Sequence, residues 1–189
     1  MANIFIDEKF SKIYEQHPLI LVDAGASGGI PKRWKMAEKH LKTISFEPDG
    51  RSQGDFLRKG LYNKKTELDI YLARKKTVSS VFKPNKDFLA LFPNSERFDT
   101  VEVGKIEVDI LDNQLKEAKV NDADFIKIDI QGAELAAFEG AGETLEKIFG
   151  VEAEVEFVYQ YEGQPLFCQI DAFLRKFGFE FWDIEPVHW

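Results

Sequence analysis

The chain has 189 residues, a net charge of −8, and 44% hydrophobic against 31% charged residues. That length is in the range of one domain, read here as residues 1–189 with a helical lead-in over 1–18, and the balance suits a globular chain rather than a disordered one. The negative charge argues against a nucleic-acid surface, which needs clustered Lys and Arg, and no apolar run approaches the ~20 residues that span a bilayer.

In chain order, Ile4 to Gln16 reads as a short helix. Leu19 to Ala24 is a continuous apolar strand of the kind buried on both faces in a parallel sheet. Pro31 suits a first helical turn, and Trp34, Ala37 and Leu41 follow at helical spacing, so a helix is predicted there. Thr43 to Phe46 reads as a second strand. The stretch "TELDIYLA" alternates Leu68, Ile70 and Leu72 with polar residues, which predicts a third. "KTVSSVFKPN" reads as a loop, "KDFLALF" as a short apolar helix or turn and "TVEVGKIEVDIL" as an extended element. "DNQLKEA" reads as a helix start with Asp112 as its cap.

"ADFIKIDIQGAE" is the next strand, followed by a helix through Leu135, Phe138, Leu145 and Ile148 that Gly140 and Gly142 interrupt. "GVEAEVEFVYQY" is another strand, with Glu152, Glu154 and Glu156 on one face. "LFCQIDAFLRKFG" is a helix ending in a glycine, and "FEFWDIEP" a final strand. Its one cysteine, Cys168, is expected as a small buried thiol, and it excludes an intramolecular disulfide. The N-terminus lacks a basic region followed by an apolar core, so no secretory signal is read, and a cytoplasmic location is expected. Strands alternating with helices predict an α/β fold, a mostly parallel sheet with helices on both faces.

Ligands of such sheets bind outside the carboxyl ends of the strands. There the first strand presents Asp23, Gly25, Ser27, Gly28 and Gly29, and the second Glu47, Pro48 and Asp49. A later strand presents Asp129, with Gln131 and Glu134 beyond it. The next carries Glu154 and Glu156, with Tyr159 and Tyr161 following. Glu47 lies 24 positions after Asp23, near the ~20 expected for an acid that holds ribose hydroxyls. The glycine turn lacks the middle glycine of a dinucleotide fingerprint, and Asp23 within it would repel a pyrophosphate. An ammonium-bearing nucleoside such as S-adenosylmethionine suits it better. A purely structural turn stays open as the plainer reading.

Four ordered motifs carry a resemblance: "VDAGASGG", "FEPD", "FIKIDIQGAEL" with "EGA", and "EVEFVYQYEGQPLF" with "AFLRKFGFEFWD". Over about Leu19 to Asp183 the chain resembles the FkbM-type family of S-adenosylmethionine-dependent methyltransferases. The resemblance implies a seven-stranded, Rossmann-like class I methyltransferase fold and methyl transfer to a hydroxyl of a sugar or natural product. It implies that Asp23, Gly25, Ala26, Ser27 and Gly29 surround the methionine part of the cofactor and that Glu47 holds the ribose. It further implies that Leu61 packs near the adenine and that Ser80 and Asp129 stand near the reacting methyl. Pro48 and Asp49 are counted with this cofactor set. Glu154, Tyr161 and Gln164 are implied to face the acceptor. Family members often have Asn where Ser27 stands. The chain ends at "EPVHW", where the family fold usually continues into a hairpin partner strand, so a sheet lacking its C-terminal strand is expected.

A hydroxyl is a poor nucleophile and gains from a base. Glu154 is the first candidate and Asp129 the second, from strand position and resemblance. His17, His40 and His188 are scattered, and no metal site is expected. Two rivals remain: a methyltransferase-like module that binds a cofactor or partner without turnover, and a nucleotide-dependent oxidoreductase. The expected partner is a small-molecule or carbohydrate acceptor, with no nucleic acid and no membrane, and oligomers are left open.

Overall fold

The computed structural model describes residues 8–30 and 32–186. In chain order these form α1 (Glu8–Gln16), β1 (Leu19–Ala24), β2 (Leu41–Phe46), β3 (Gly60–Leu61) and β4 (Thr66–Ala73). Then follow α2 (Lys86–Leu89), β5 (Thr100–Asp109), α3 (Leu111–Glu117), β6 (Phe125–Ile128), α4 (Glu134–Glu139), α5 (Gly142–Leu145), β7 (Gly150–Ala153) and α6 (Phe167–Leu174). Residues Ile4 to Asp7, Pro31 and His188 lie outside the described residues.

The apolar run of β1 has no polar face to give to water, so it must lie between neighbours. It pairs in parallel with β2, Leu19 opposite Leu41, and with β6, Leu21 opposite Phe125. β7 adds to β6 with Phe125 opposite Gly150, and the all-parallel sheet has the order β2-β1-β6-β7. This is a Rossmann-like α/β arrangement. Its core joins Val22, Ala24, Phe46, Ile126 and Ile128 of the sheet to Phe138, Leu145 and Ile170 of the helices. After β2 the chain crosses back to the far side of β1 to reach β6. Strand order therefore reverses between β1 and β6, where open α/β sheets bind their ligands.

The crossing segment carries a second sheet, β3-β5-β4. β4 and β5 are antiparallel, with Leu68 opposite Ile106 and Ile70 opposite Gly104. Their alternation sorts two faces. Ile70, Ile106 and Val108 turn toward the ends of β1 and β2, while on the other face Lys105 pairs with Asp69 at 2.6 Å. The seven strands thus fall into two sheets, where one seven-stranded sheet is the implied form.

Several local expectations change. The helix through Trp34, Ala37 and Leu41 is two 3-10 turns, Lys32–Trp34 and Glu38–His40, and Leu41 already belongs to β2. Trp34 is held sideways, its ring 4.8 Å from that of Phe125 and its Nε1 donating to Glu152 at 3.0 Å, so tertiary contact overrides helical spacing. The strand through "GVEAEVEFVYQY" stops at Ala153, because β6 offers a partner only to Ile128. Residues 179–186 form no strand: no ladder takes up their backbone groups, Phe181 leans on Phe167 at 5.5 Å, and Trp182 is 91% exposed. Cys168 is exposed, not buried, on the outer side of α6.

The break between α4 and α5 falls where Gly140 predicts it. A Cβ there would stand 2.3 Å from the Tyr62 carbonyl. Asp112 caps a helix, but not its own. The start of α3 is held by Asp109, which accepts from the Ile110 N–H at 2.8 Å. Asp112 reaches across to α5 and accepts from the N–H groups of Glu143 and Thr144 and from the Thr144 hydroxyl, at 2.9, 3.0 and 2.6 Å. Asp112→Ala strips α5 of its cap, and urea denaturation should show a loss of about 2 kcal/mol.

Candidate active site

The turn after β1 is shaped by a close approach. Gly25 has φ +79 and hands its N–H to the Phe46 carbonyl at 3.0 Å. A Cβ on Gly25 would fall 1.7 Å from the Asp129 carbonyl, so only glycine lets the turn cross the end of β6. Beneath the turn stands Lys127, a lysine in a buried strand. Its Nζ lies 3.0 Å from Asp23 Oδ1 and donates to the Gly25 carbonyl at 3.2 Å. Asp23 is 1% exposed. Burial pushes its carboxyl up, against the pull of Lys127. Asp23, Ala26 and Gly29 stand outside the cleft wall, while Ala24, Gly25 and Ser27 form part of it.

β2 delivers Glu47, Pro48 and Asp49 to the same wall. Glu47 is buried, and its Oε1 accepts from the Asp49 N–H at 2.8 Å. Burial raises its carboxyl, while Asp49's N–H and the Ser27 hydroxyl oppose the rise. Two arginines brace this corner. Arg58 donates to the carbonyls of Asp49 and Ser52 at 3.0 and 2.8 Å. Arg51 grips the Asp49 carboxylate, with its closest nitrogen 2.6 Å away, and ties it to the Ala73 carbonyl and the Ser79 hydroxyl at 2.9 Å each. Burial alone would raise Asp49, but Arg51 outweighs it and holds the carboxyl below its ordinary range.

These ends and the second sheet enclose a cleft of about 660 Å³, its open mouth included. Leu61, Ile70, Ile106 and Val108 make an apolar bed. Glu47, Ser27, Ser80, Asp129 and Gln131 supply polar groups, and Lys59 and Lys76 stand among the lining residues. A flat apolar ring fits the bed, and a vicinal diol fits the Glu47 carboxylate.

Behind the cleft the ends of β6 and β7 bring together Asp129, Glu134, Glu154 and Glu156. Glu134 is fully enclosed and accepts from the N–H groups of Ile130 and Gly132 at 2.8 and 2.9 Å. Burial, aided by the charge of Glu156, pushes its carboxyl up to about 8. Burial and the charge of Asp129 push Glu156 up to about 7, against a hydrogen bond from Gln164. Glu154 is held far above the ordinary carboxylate range by burial first and then by the charge of Asp129. Tyr161 and Gln164 are 0% and 2% exposed. Their polar atoms are spent internally: the Tyr161 hydroxyl donates toward the Val78 carbonyl and Gln131 Oε1, and Gln164 donates to Glu156 at 3.0 Å. Among the described residues no group of three or more His, Cys, Asp or Glu could hold a metal ion. His40 is a core residue, with its ring 5.8 Å from that of Tyr14.

Lys127, Arg51 and Arg58 are supporting residues that the sequence reading passed over. Only Lys127 had a visible signal, a charge inside "FIKI", where a buried strand needs a partner for it.

An open parallel sheet with a ligand cleft at its switch point is the class of protein that fold and site define. A family model described as "Methyltransferase FkbM domain" matches residues 24–181, and the chain belongs to that methyltransferase family. No curated protein and no solved structure matches the chain. No helix among the described residues is long and apolar enough to cross a membrane.

The raised carboxyls set a pH dependence. Folded Glu134 keeps its proton to about pH 8, whereas its ordinary value is 4.5. Between those values the unfolded chain binds fewer protons than the folded one, so this contribution to stability falls as pH rises. It is fully present below about 4.5 and lost through 8. Melting temperatures from pH 5 to 8.5 should fall more steeply for the native chain than for Glu134→Gln. Parallel profiles would show that Glu134 is ionised in the folded state.

Proposed function

We propose that the chain is an S-adenosylmethionine-dependent O-methyltransferase acting on a hydroxyl of a small carbohydrate or natural-product acceptor. The observation that carries this reading is the buried Glu47 carboxylate at the end of β2, facing a cleft with an apolar bed. The residues fit that cofactor. Leu61, Ile70, Ile106 and Val108 would take the adenine, and Glu47 the ribose hydroxyls. Ser27, Ser80 and the Gly25 turn would border the methionine part. With Asp23 engaged by Lys127, the positive end of the cofactor is assigned to Asp129 and the turn's carbonyls. Carboxylates at both ends of the cleft suit a cation and oppose a pyrophosphate, which disfavours a dinucleotide. The whole chain is taken as one methyltransferase domain, and a single cysteine accords with a cytoplasmic setting.

Bound S-adenosylmethionine supplies a methyl carbon already activated by its sulfonium. The protein's part is to align the acceptor oxygen with that carbon, exclude water and take the hydroxyl's proton. Asp129 lines the cleft, and Glu154 stands behind it, joined to Asp129 through the Gln131 amide. Asp129 is therefore the proposed base and Glu154 its partner. That reverses the ranking the sequence suggests, because a carboxyl held far above its ordinary range keeps its own proton at neutral pH.

Calorimetric titration with S-adenosylmethionine should give saturable binding that weakens at least tenfold, about 1.4 kcal/mol, in Glu47→Ala, while NADH should not bind. Absence of binding to the folded chain would end this reading. With an identified acceptor, Asp129→Asn should lower kcat by ~10²-fold or more with cofactor binding retained. Full turnover in that variant would remove Asp129 as the base.

A further inference from the structure

Gln131 stands in the left-handed backbone region, φ +58, which a non-glycine residue holds only where its surroundings require it. Both hydrogens of its side-chain amide are used, and its oxygen accepts one bond. Oε1 accepts the Tyr161 hydroxyl at 2.8 Å. Nε2 donates one hydrogen to Asp129 Oδ1 at 2.7 Å and the other to Glu154 Oε2. Its backbone carbonyl accepts the Ser80 hydroxyl at 2.6 Å. Tyr161 is itself fixed, with no exposed surface and its hydroxyl 2.9 Å from the Val78 carbonyl. The two carboxyls draw the amide nitrogen to their side, leaving Oε1 to face the Tyr161 hydroxyl, whose one proton lies between it and the Val78 carbonyl.

One amide nitrogen thus bridges the two carboxyls, and the charge of Asp129 presses on Glu154. The charged and titratable groups facing them come from every side. Glu134 of α4 and Glu156 beyond β7 press on Glu154, and Tyr161 stands next to Gln131. Asp23, paired with Lys127, lies close enough to Asp129 for their charges to interact. Crowded acids in a half-dry site favour protonation. Two N–H donors aimed at carboxyl oxygens favour the ionised form, and among the described residues Gln131 supplies one to each carboxyl.

We propose that Gln131 is a positioning residue that holds Asp129 and Glu154 as a pair carrying one proton, with the ionised oxygen on Asp129 at the cleft. The proposal rests on reading the cleft as an O-methyltransferase site. As the acceptor's O–H bond breaks, its proton passes to Asp129. The pair goes from one proton and one negative charge to two protons and none, and the added proton leaves to water after the product departs.

The test is a ¹³C-carboxyl NMR titration of the protein alone, in the native chain, Gln131→Met and Tyr161→Phe. The native pair should hold one proton at pH 7 and titrate in two steps. In Gln131→Met the lower midpoint should rise by about one unit or more, the size of one hydrogen bond to a charged group. Tyr161→Phe frees the amide without removing it, and the lower midpoint should rise by a smaller amount. If Gln131→Met does not fold, Tyr161→Phe carries the test. A lower midpoint unmoved within about 0.3 unit in the folded variants, or a native pair with two protons or none at pH 7, overturns the proposal. The titration uses no cofactor. A shift as expected in a chain that binds no S-adenosylmethionine would leave the positioning intact and remove the methyltransfer reading. An unmoved pair in a chain that does bind it would remove the positioning alone.

Discussion

Lys127 is the constraint to which the site is tied. An ammonium in the middle of a buried strand costs several kcal/mol unless it is paired, and the sheet pairs it with Asp23 on the neighbouring strand, 3.0 Å away. The same nitrogen holds the Gly25 carbonyl. One buried charge thus fixes the end of β1, the end of β6 and the turn between them. Gly25 completes the arrangement from above, because its missing Cβ is the space that the Asp129 carbonyl occupies. Removing either partner would leave an uncompensated buried charge at the point where the strand order reverses.

Around that point the protein sorts its acids by what surrounds them. Asp49 is gripped by Arg51 and stays ionised. Glu47 is buried, with an N–H and a hydroxyl for company. Glu134 and Glu156 are pushed toward neutrality by burial and by neighbouring acids, Glu156 and Asp129 on Glu134 and Asp129 on Glu156. Carboxyls of the same type therefore hold different charges within one region. In the proposed reading a cationic ligand meets carboxylates at the mouth, while burial favours the protonated form of the deeper acids.

The second sheet makes this a cleft and not merely an edge. Its hairpin turns Ile70 and Ile106 toward the ends of β1 and β2 and its ion pairs outward. A methyltransferase needs a place where an activated carbon and a nucleophile meet away from water. Here the two sheets supply the walls, and the carboxyl pair behind them supplies the proton acceptor in the proposed mechanism.

Much of this was legible in the residues. The continuous apolar run of β1, the period-two alternation of β4 and β5, the breaks at Gly140 and Gly178 and the acids at strand ends are all local properties of the chain. They are set by side-chain polarity and backbone sterics. What the tertiary structure decided depends on partners far away in sequence. Asp23 pairs with Lys127, Asp112 caps α5 instead of α3, and Tyr161 and Gln164 are enclosed with their polar atoms bonded internally. The strands after Ala153 and through 179–186 fail for want of a neighbour, since a strand exists only where another chain segment takes up its hydrogen bonds. The sequence alone determined which residues are apolar, flexible or charged. Only the fold decided which charges meet, because a carboxyl's state depends on the groups that reach it through space.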